Sequence, residues 1–234
     1  MTVGEIQVRE RATQRTARYV VMGTAPSQAT HVWIALHGYG MLASRFVRPF
    51  TDVIPNGTCV IAPEGLSRFY IEMPRADGSH LQRIGATWLT RESRDTEIAD
   101  AHRWLDAVLD EVIAESTATR GHAPSVAVLG FSQGVATAMR WVGASAVRPQ
   151  LFVAWAGGFA NDVNRDGFVR NMQGGELVIV TGDRDEFATE THRDAAMTVV
   201  RELGIPYRAL SFAGAHQLDA ALLHTLMHDF ASDA

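Results

Sequence analysis

Apolar residues along this chain follow two rhythms that alternate from one end to the other. Short unbroken runs occupy Arg18 to Gly23, His31 to Leu36, Thr58 to Ala62, Ser125 to Leu129, Leu151 to Ala156, Glu176 to Thr181 and Tyr207 to Phe212. Several are continuous Val, Ile, Leu and Ala, the pattern of parallel strands covered on both faces. Between them lie segments of helical period: Ala43 to Val53, Asp95 to Glu115, Gln133 to Ser145, Thr189 to Leu203 and Leu218 to Phe230. In the second, Ile98, Ala101, Leu105, Val108, Leu109 and Val112 repeat at three- and four-residue spacing and form one stripe. Leu203 is followed by Gly204 and then Pro206, an ordinary helix stop.

This alternation predicts an α/β protein with a mostly parallel, doubly wound sheet. Glu5 to Val8 and Arg18 to Gly23 have no helix between them, which predicts an antiparallel edge hairpin. No repeat or linker divides the chain, so residues 1–234 are expected to form one domain. Leu66 to Arg94 breaks the rhythm, with Pro74, Gly78 and Gly85 scattered through it. A loop of that length is usually functional, and it holds Phe69, Tyr70 and Trp88, which together with Met41 are the expected walls of a substrate pocket.

Composition narrows the picture by exclusion. The 234 residues are 47% apolar and carry a net charge of −5, so nothing marks a nucleic-acid partner. All 21 basic residues are arginine, which removes lysine Schiff bases, Ser–Lys dyads and P-loop lysines. The single cysteine, Cys59, sits in an apolar run and reads as a small core residue. Met1 to Val20 lacks the apolar stretch of a signal peptide, and no run is long enough to span a membrane. A cytoplasmic protein is expected, with no metal or organic cofactor; the oligomeric state is not encoded legibly.

The sharpest chemical signal is Gly130-Phe131-Ser132-Gln133-Gly134, a G-x-S-x-G sequence between a buried run and a helical segment. That placement is the nucleophile elbow: a serine on a tight strand-to-helix turn, flanked by glycines because side chains would collide there. A serine hydroxyl needs a base, and the base needs an orienting acid. Asp185 follows the Glu176 to Thr181 run, and His216 follows the Tyr207 to Phe212 run, so both belong at the same sheet edge as Ser132. The expected oxyanion donors are the backbone amides of Gln133 and of Tyr39, the latter in Leu36-His37-Gly38-Tyr39-Gly40.

The stretches LHGYG at 36–40, APEG at 62–65, GFSQG at 130–134, TGDRD at 181–185 and GAHQ at 214–217 resemble the α/β-hydrolase fold. More narrowly they resemble the phospholipase/carboxylesterase family that includes acyl-protein thioesterases. The resemblance spans roughly His31 to Phe230. It implies Ser132 as nucleophile, Asp185 as acid, His216 as base, and Tyr39 and Gln133 as oxyanion donors. Where the eukaryotic thioesterases of that family usually carry an acidic residue after Gly40, this chain has Met41.

Competing assignments are specific. Asp183, Asp194 and Glu186 rival Asp185. His37 reads as a prop for the oxyanion loop, and His224 with His228 as two solvated helix residues without the glutamate of a zincin. Trp33 and Trp155 read as core, and Glu64 as structural. The function expected is hydrolysis of a small-molecule carboxylic ester, or thioester, through an acyl-enzyme. About twenty residues separate the runs ending at Ala156 and starting at Glu176, too few for a large cap, so an open site favouring short or medium acyl chains is expected. A peptidase or lipase of the same fold, or a non-catalytic binding protein, are the other readings.

Overall fold

The computed structural model describes residues 6–74 and 80–232, with 190–193 described by backbone alone. Its central sheet is built from β1 (Tyr19–Gly23), β2 (His31–Leu36), β3 (Thr58–Pro63), β6 (Ser125–Phe131), β7 (Leu151–Trp155), β8 (Glu176–Gly182) and β9 (Tyr207–Phe212). The spatial order is β1-β3-β2-β6-β7-β8-β9. Only β1 runs antiparallel, pairing Tyr19 with Pro63 through Gly23 with Cys59. Every residue of β2, β3 and β7 is buried, as the unbroken apolar runs require.

The expected hairpin between Glu5 to Val8 and the next run does not form. Glu5 lies outside the described residues; Ile6 and Val8 are in no strand and are exposed. β1 instead stands at the edge of the sheet with β3 as its neighbour, and Ile6 and Val8, separated by a polar residue, bury almost no apolar surface that would hold a second strand there.

Two apolar clusters cover the sheet faces. One joins Ile34, Ile61, Val128 and Phe152 to α2 (Arg94–Arg120), α3 (Gln133–Ala144), α4 (Arg165–Asn171) and α5 (Glu190–Leu203). The other joins Trp33, Leu129, Val153 and Trp155 to α1 (Ala43–Phe46) and α6 (Ala220–Ser232). Trp33 and Trp155 are fully buried, as expected. Among the described residues no helix is long and apolar enough to cross a membrane.

Helix lengths depart from the periodicity for local reasons. The Ala43 to Val53 segment splits into α1 and a 3-10 turn, Arg48–Phe50, because Pro49 has no N–H to continue the helix. α2 runs two turns past its apolar stripe: Ser116 is buried and donates to the carbonyl of Ala29, and Arg120 donates to the same oxygen. It stops at Gly121, whose φ of 79° suits the left-handed cap.

Leu66 to Arg94 is not an irregular loop. It contains a two-stranded antiparallel ribbon, β4 (Ser67–Pro74) and β5 (His80–Thr87), paired from Ser67 with Thr87 to Pro74 with His80. The ribbon's base grips the sheet edge: Gly40 N–H donates to Ala86 O at 2.8 Å and Ala86 N–H to Met41 O at 3.2 Å.

Candidate active site

Ser132 stands between β6 and α3 with φ 55° and ψ −119°, a conformation unfavourable to a residue with a Cβ. Such strain costs on the order of 1–3 kcal/mol and persists only where neighbours impose it. Here Ser132 N–H donates to Trp155 O at 2.9 Å. The flanking glycines admit nothing larger: a Cβ on Gly130 would lie 2.5 Å from Gly134 O, and one on Gly134 would lie 2.2 Å from Leu36 O. The result is a hydroxyl raised at the carboxyl edge of the sheet.

A continuous chain of hydrogen bonds runs from that hydroxyl. His216 Nε2 is 2.9 Å from Ser132 Oγ, and His216 Nδ1 is 2.9 and 3.1 Å from the two Asp185 carboxylate oxygens. The Asp185 side chain has no solvent exposure and also accepts from Phe187 N–H at 2.9 Å. The imidazole is held between two rings, Phe131 at 5.0 Å and Phe187 at 4.7 Å. Asp183, the rival acid, points elsewhere. It accepts from Gly214 N–H at 2.9 Å, while its own N–H donates to Phe212 O, so it ties the loop of Asp185 to the loop of His216.

The amides of Tyr39 and Gln133 lack a protein acceptor among the described residues, and both residues border the same cavity as Ser132 and His216. A Cβ on Gly38 would meet Ser132 Cβ at 3.1 Å, so the loop of Gly38 to Gly40 abuts the serine. Its props are buried. His37 Nε2 accepts from Gly65 N–H at 2.9 Å, leaving Nδ1–H to donate to Gly38 O at 2.8 Å. Trp88 Nε1–H donates to His37 O at 2.8 Å, and the Gln133 side-chain amide bonds Thr87.

The cavity beside Ser132 measures about 880 Å³. Its walls are Gly157 to Phe159 after β7, Ile179 to Thr181 of β8, Phe187, Ala195 to Met197 and Val199 of α5, and Ala209 and Leu210 of β9. Met41, Phe69, Tyr70 and Trp88, the expected walls, are not among them. Trp88 is buried beneath the loop of His37 to Gly40; Met41 bridges to Ala86; Phe69 stacks on Tyr39 at 5.1 Å; Tyr70 is exposed on the ribbon. The aromatic content of Leu66 to Arg94 thus supports the loop rather than the cavity. The wall residues gave little signal in the sequence, because Ile179 and Val199 look like any strand or helix core position. Phe187 was missed too, although an aromatic residue two positions after Asp185 was a signal that could have found it.

The wall segment carrying Phe159 is anchored by Asp162, whose carboxylate accepts from Arg94 at 2.5 Å and Arg140 at 2.9 Å. Partial burial pushes its carboxyl up, but the two guanidinium groups outweigh that and bring it down to about 2.

Glu64 is a hub of the neighbouring scaffold. It is buried, and accepts from Arg18 at 2.8 and 3.1 Å, from Arg68 at 2.8 Å and from Ala43 N–H at 3.2 Å. Burial favours its neutral form, yet these donors prevail and hold the carboxyl below its ordinary value. A carboxyl lowered on folding contributes stability above its unfolded titration range, and that stability is lost as pH falls through the folded value. Glu64→Gln is therefore expected to destabilise the protein at neutral pH by about 2 kcal/mol, and thermal melts at pH 7 and pH 3.5 should show the difference from wild type shrinking in acid.

Other singled-out residues lie outside the site. Cys59 is buried between strands, and burial pushes its thiol up to about 12, leaving it inert. His224 and His228 are exposed on α6 and stack at 4.0 Å.

Solved structures share this architecture at low identity. A carboxylesterase from Mesorhizobium loti is 17% identical with a TM-score of 0.64, covering 91% of this chain and 94% of that one. A phospholipase/carboxylesterase from Dyadobacter fermentans DSM 18053 is 15% identical with a TM-score of 0.64, covering 94% and 99%. The acyl-protein thioesterase 2 of Zea mays is 15% identical with a TM-score of 0.63, covering 93% and 99%. No protein-family model matches the sequence, and no curated protein matches it.

Proposed function

On this α/β-hydrolase fold we propose a serine hydrolase that cleaves small carboxylic esters of short to medium acyl chain, with thioesters open to the same attack. The observation that carries the reading is the unbroken line from Asp185 through His216 to Ser132 Oγ, each link 2.9 Å, ending at the cavity that Tyr39 and Gln133 also border. That structures of similar fold are described as carboxylesterases and a thioesterase adds support.

In this mechanism His216 Nε2 takes the Ser132 proton as Oγ bonds to the ester carbonyl carbon. Asp185 keeps the Nδ1–H tautomer and stabilises the imidazolium. The carbonyl oxygen, now an oxyanion, is met by the amides of Tyr39 and Gln133, with the α3 N-terminus adding positive potential. Collapse breaks the carbon–oxygen bond to the alcohol, which leaves with the proton held on Nε2. Water then gives its proton to Nε2 and attacks the acyl carbon; Oγ departs, recovers that proton, and the acid is released.

The test is covalent. A small fluorophosphonate is expected to add its phosphonyl group to Ser132 alone, located by peptide mass spectrometry. An unlabelled folded protein, or a label on another residue, would overturn the reading.

A further inference from the structure

Ala86, Thr87 and Trp88, consecutive and buried where β5 ends, touch both backbone segments that border the serine. Ala86 clamps the residues that follow Tyr39: it accepts from Gly40 N–H at 2.8 Å and donates to Met41 O at 3.2 Å. Trp88 holds the residue two before Tyr39, donating Nε1–H to His37 O at 2.8 Å. The approach is close, since a Cβ on Gly85 would lie 2.6 Å from Gly40 O. Thr87, between them, reaches the other segment. Gln133 Nε2 donates to Thr87 Oγ1 at 2.8 Å, and the hydroxyl gives its single hydrogen to Leu89 O at 2.9 Å. Trp88 N–H donates to Gln133 Oε1 at 3.3 Å.

This brace replaces one that α3 lacks. Ser132 is the N-cap of that helix, and a capping serine ordinarily ties down the first turn through its side chain. Here the side chain makes no capping bond, because Oγ faces His216. The turn is tied instead through the Gln133 side chain to the end of β5. One run of three residues thus fixes the Tyr39 loop on one side and the start of α3 on the other.

Resting on the serine hydrolase reading, we propose that Thr87 is a positioning residue, which with Ala86 and Trp88 sets the spacing between the Tyr39 and Gln133 amides. Thr87 is buried and does not border the cavity, so it acts only through Gln133. Two donors must converge on the point where the oxyanion forms, a demand that the ground-state carbonyl does not make. Loosening the tether therefore costs in the transition state and leaves substrate binding alone.

The experiment compares wild type, Thr87→Val, Thr87→Ser and Gln133→Met on p-nitrophenyl butyrate and with a trifluoromethyl ketone inhibitor. Ser132 Oγ adds to the ketone carbon, the carbonyl π pair moves onto oxygen, and the hydroxyl proton rests on His216 Nε2, so the inhibitor's affinity reads the oxyanion site. Thr87→Val is expected to lower kcat about tenfold, since a displaced donor costs less than the roughly hundredfold or more of a deleted one. KM should stay within about twofold. The ketone's inhibition constant should rise by the same factor as kcat falls, and the pH midpoint of kcat/KM should not move, because Asp185 and His216 are untouched. Thr87→Ser keeps the hydroxyl and should restore kcat to within about threefold of wild type. Gln133→Met breaks the same bonds from the opposite side while keeping the backbone amide; combined with Thr87→Val it should cost little more than either alone. It also carries the test by itself should Thr87→Val fail to fold. Wild-type kcat in either variant, or a fall in kcat with the ketone constant unmoved, overturns the positioning role, while fluorophosphonate labelling of Ser132 keeps the hydrolase reading. A wild type with neither label nor turnover overturns both.

Discussion

Replacing Ser132 with alanine is expected to reduce ester hydrolysis by about 10⁵- to 10⁶-fold, measured as kcat on a p-nitrophenyl ester and corrected for buffer hydrolysis. The magnitude follows from removal of the only atom that forms the acyl bond; comparable deletions in serine hydrolases cost about that much. What remains is the contribution of the oxyanion amides, which do not need the hydroxyl. The same position carries a second expectation. Glycine tolerates the φ of 55° and ψ of −119° that serine endures, so Ser132→Gly should melt higher than Ser132→Ala, by the equivalent of about 1 kcal/mol or more. An alanine variant with residual activity within a hundredfold of wild type would remove Ser132 from the mechanism.

Asp185→Asn is expected to lower kcat by about 10⁴-fold with little change in KM. The asparagine amide presents N–H toward Nδ1, and a histidine facing that donor adopts the other tautomer, with Nε2–H aimed at Ser132 Oγ. The base is then blocked although every atom stays in place. Asp183→Ala gives the contrast. It frees Gly214 N–H and loosens the junction between two loops, so a loss of only about tenfold is expected, largely independent of pH. Equal losses in the two variants, measured by steady-state kinetics, would mean that the acid has been assigned to the wrong residue.

The sheet, and the placement of Ser132, Asp185 and His216 at one of its edges, were legible in the sequence for one physical reason. Buried parallel strands write continuous apolar runs, and the loops after them carry these three side chains in chain order. Ser132, Asp185 and His216 sit just past β6, β8 and β9, where the runs end. The ribbon was missed because the alternation of Phe69, Ile71 and Met73 with Arg68, Tyr70 and Glu72 is short and mostly exposed, and Pro74 and Gly85 look like breakers. α4 was missed because its seven residues include Gly167 and begin on an Asn164 cap that a loop would equally contain. The cavity escaped for a deeper reason. Whether Ile179 packs or lines a void depends on how far α5 leans from the sheet, a tertiary quantity that no local pattern encodes. Aromatic residues in Leu66 to Arg94 pointed to the wrong wall, since an aromatic ring serves equally to fill a core, as Trp88 does beneath His37.

The imidazole of His37 gives the protein an acid limit separate from its chemistry. One ring nitrogen must accept and the other must donate for the bridge between Gly65 and Gly38 to exist, so only the neutral ring fits. Burial holds it neutral to lower pH than an ordinary histidine, against the opposing pull of the Gly38 carbonyl and Glu64. Below the ordinary histidine range the unfolded chain takes up a proton that the folded one refuses, and stability drains accordingly. Once the ring is forced to charge, two N–H groups confront each other at Gly65. Sour conditions should therefore unlatch the amide donors at Tyr39 from beneath, disabling turnover through the framework.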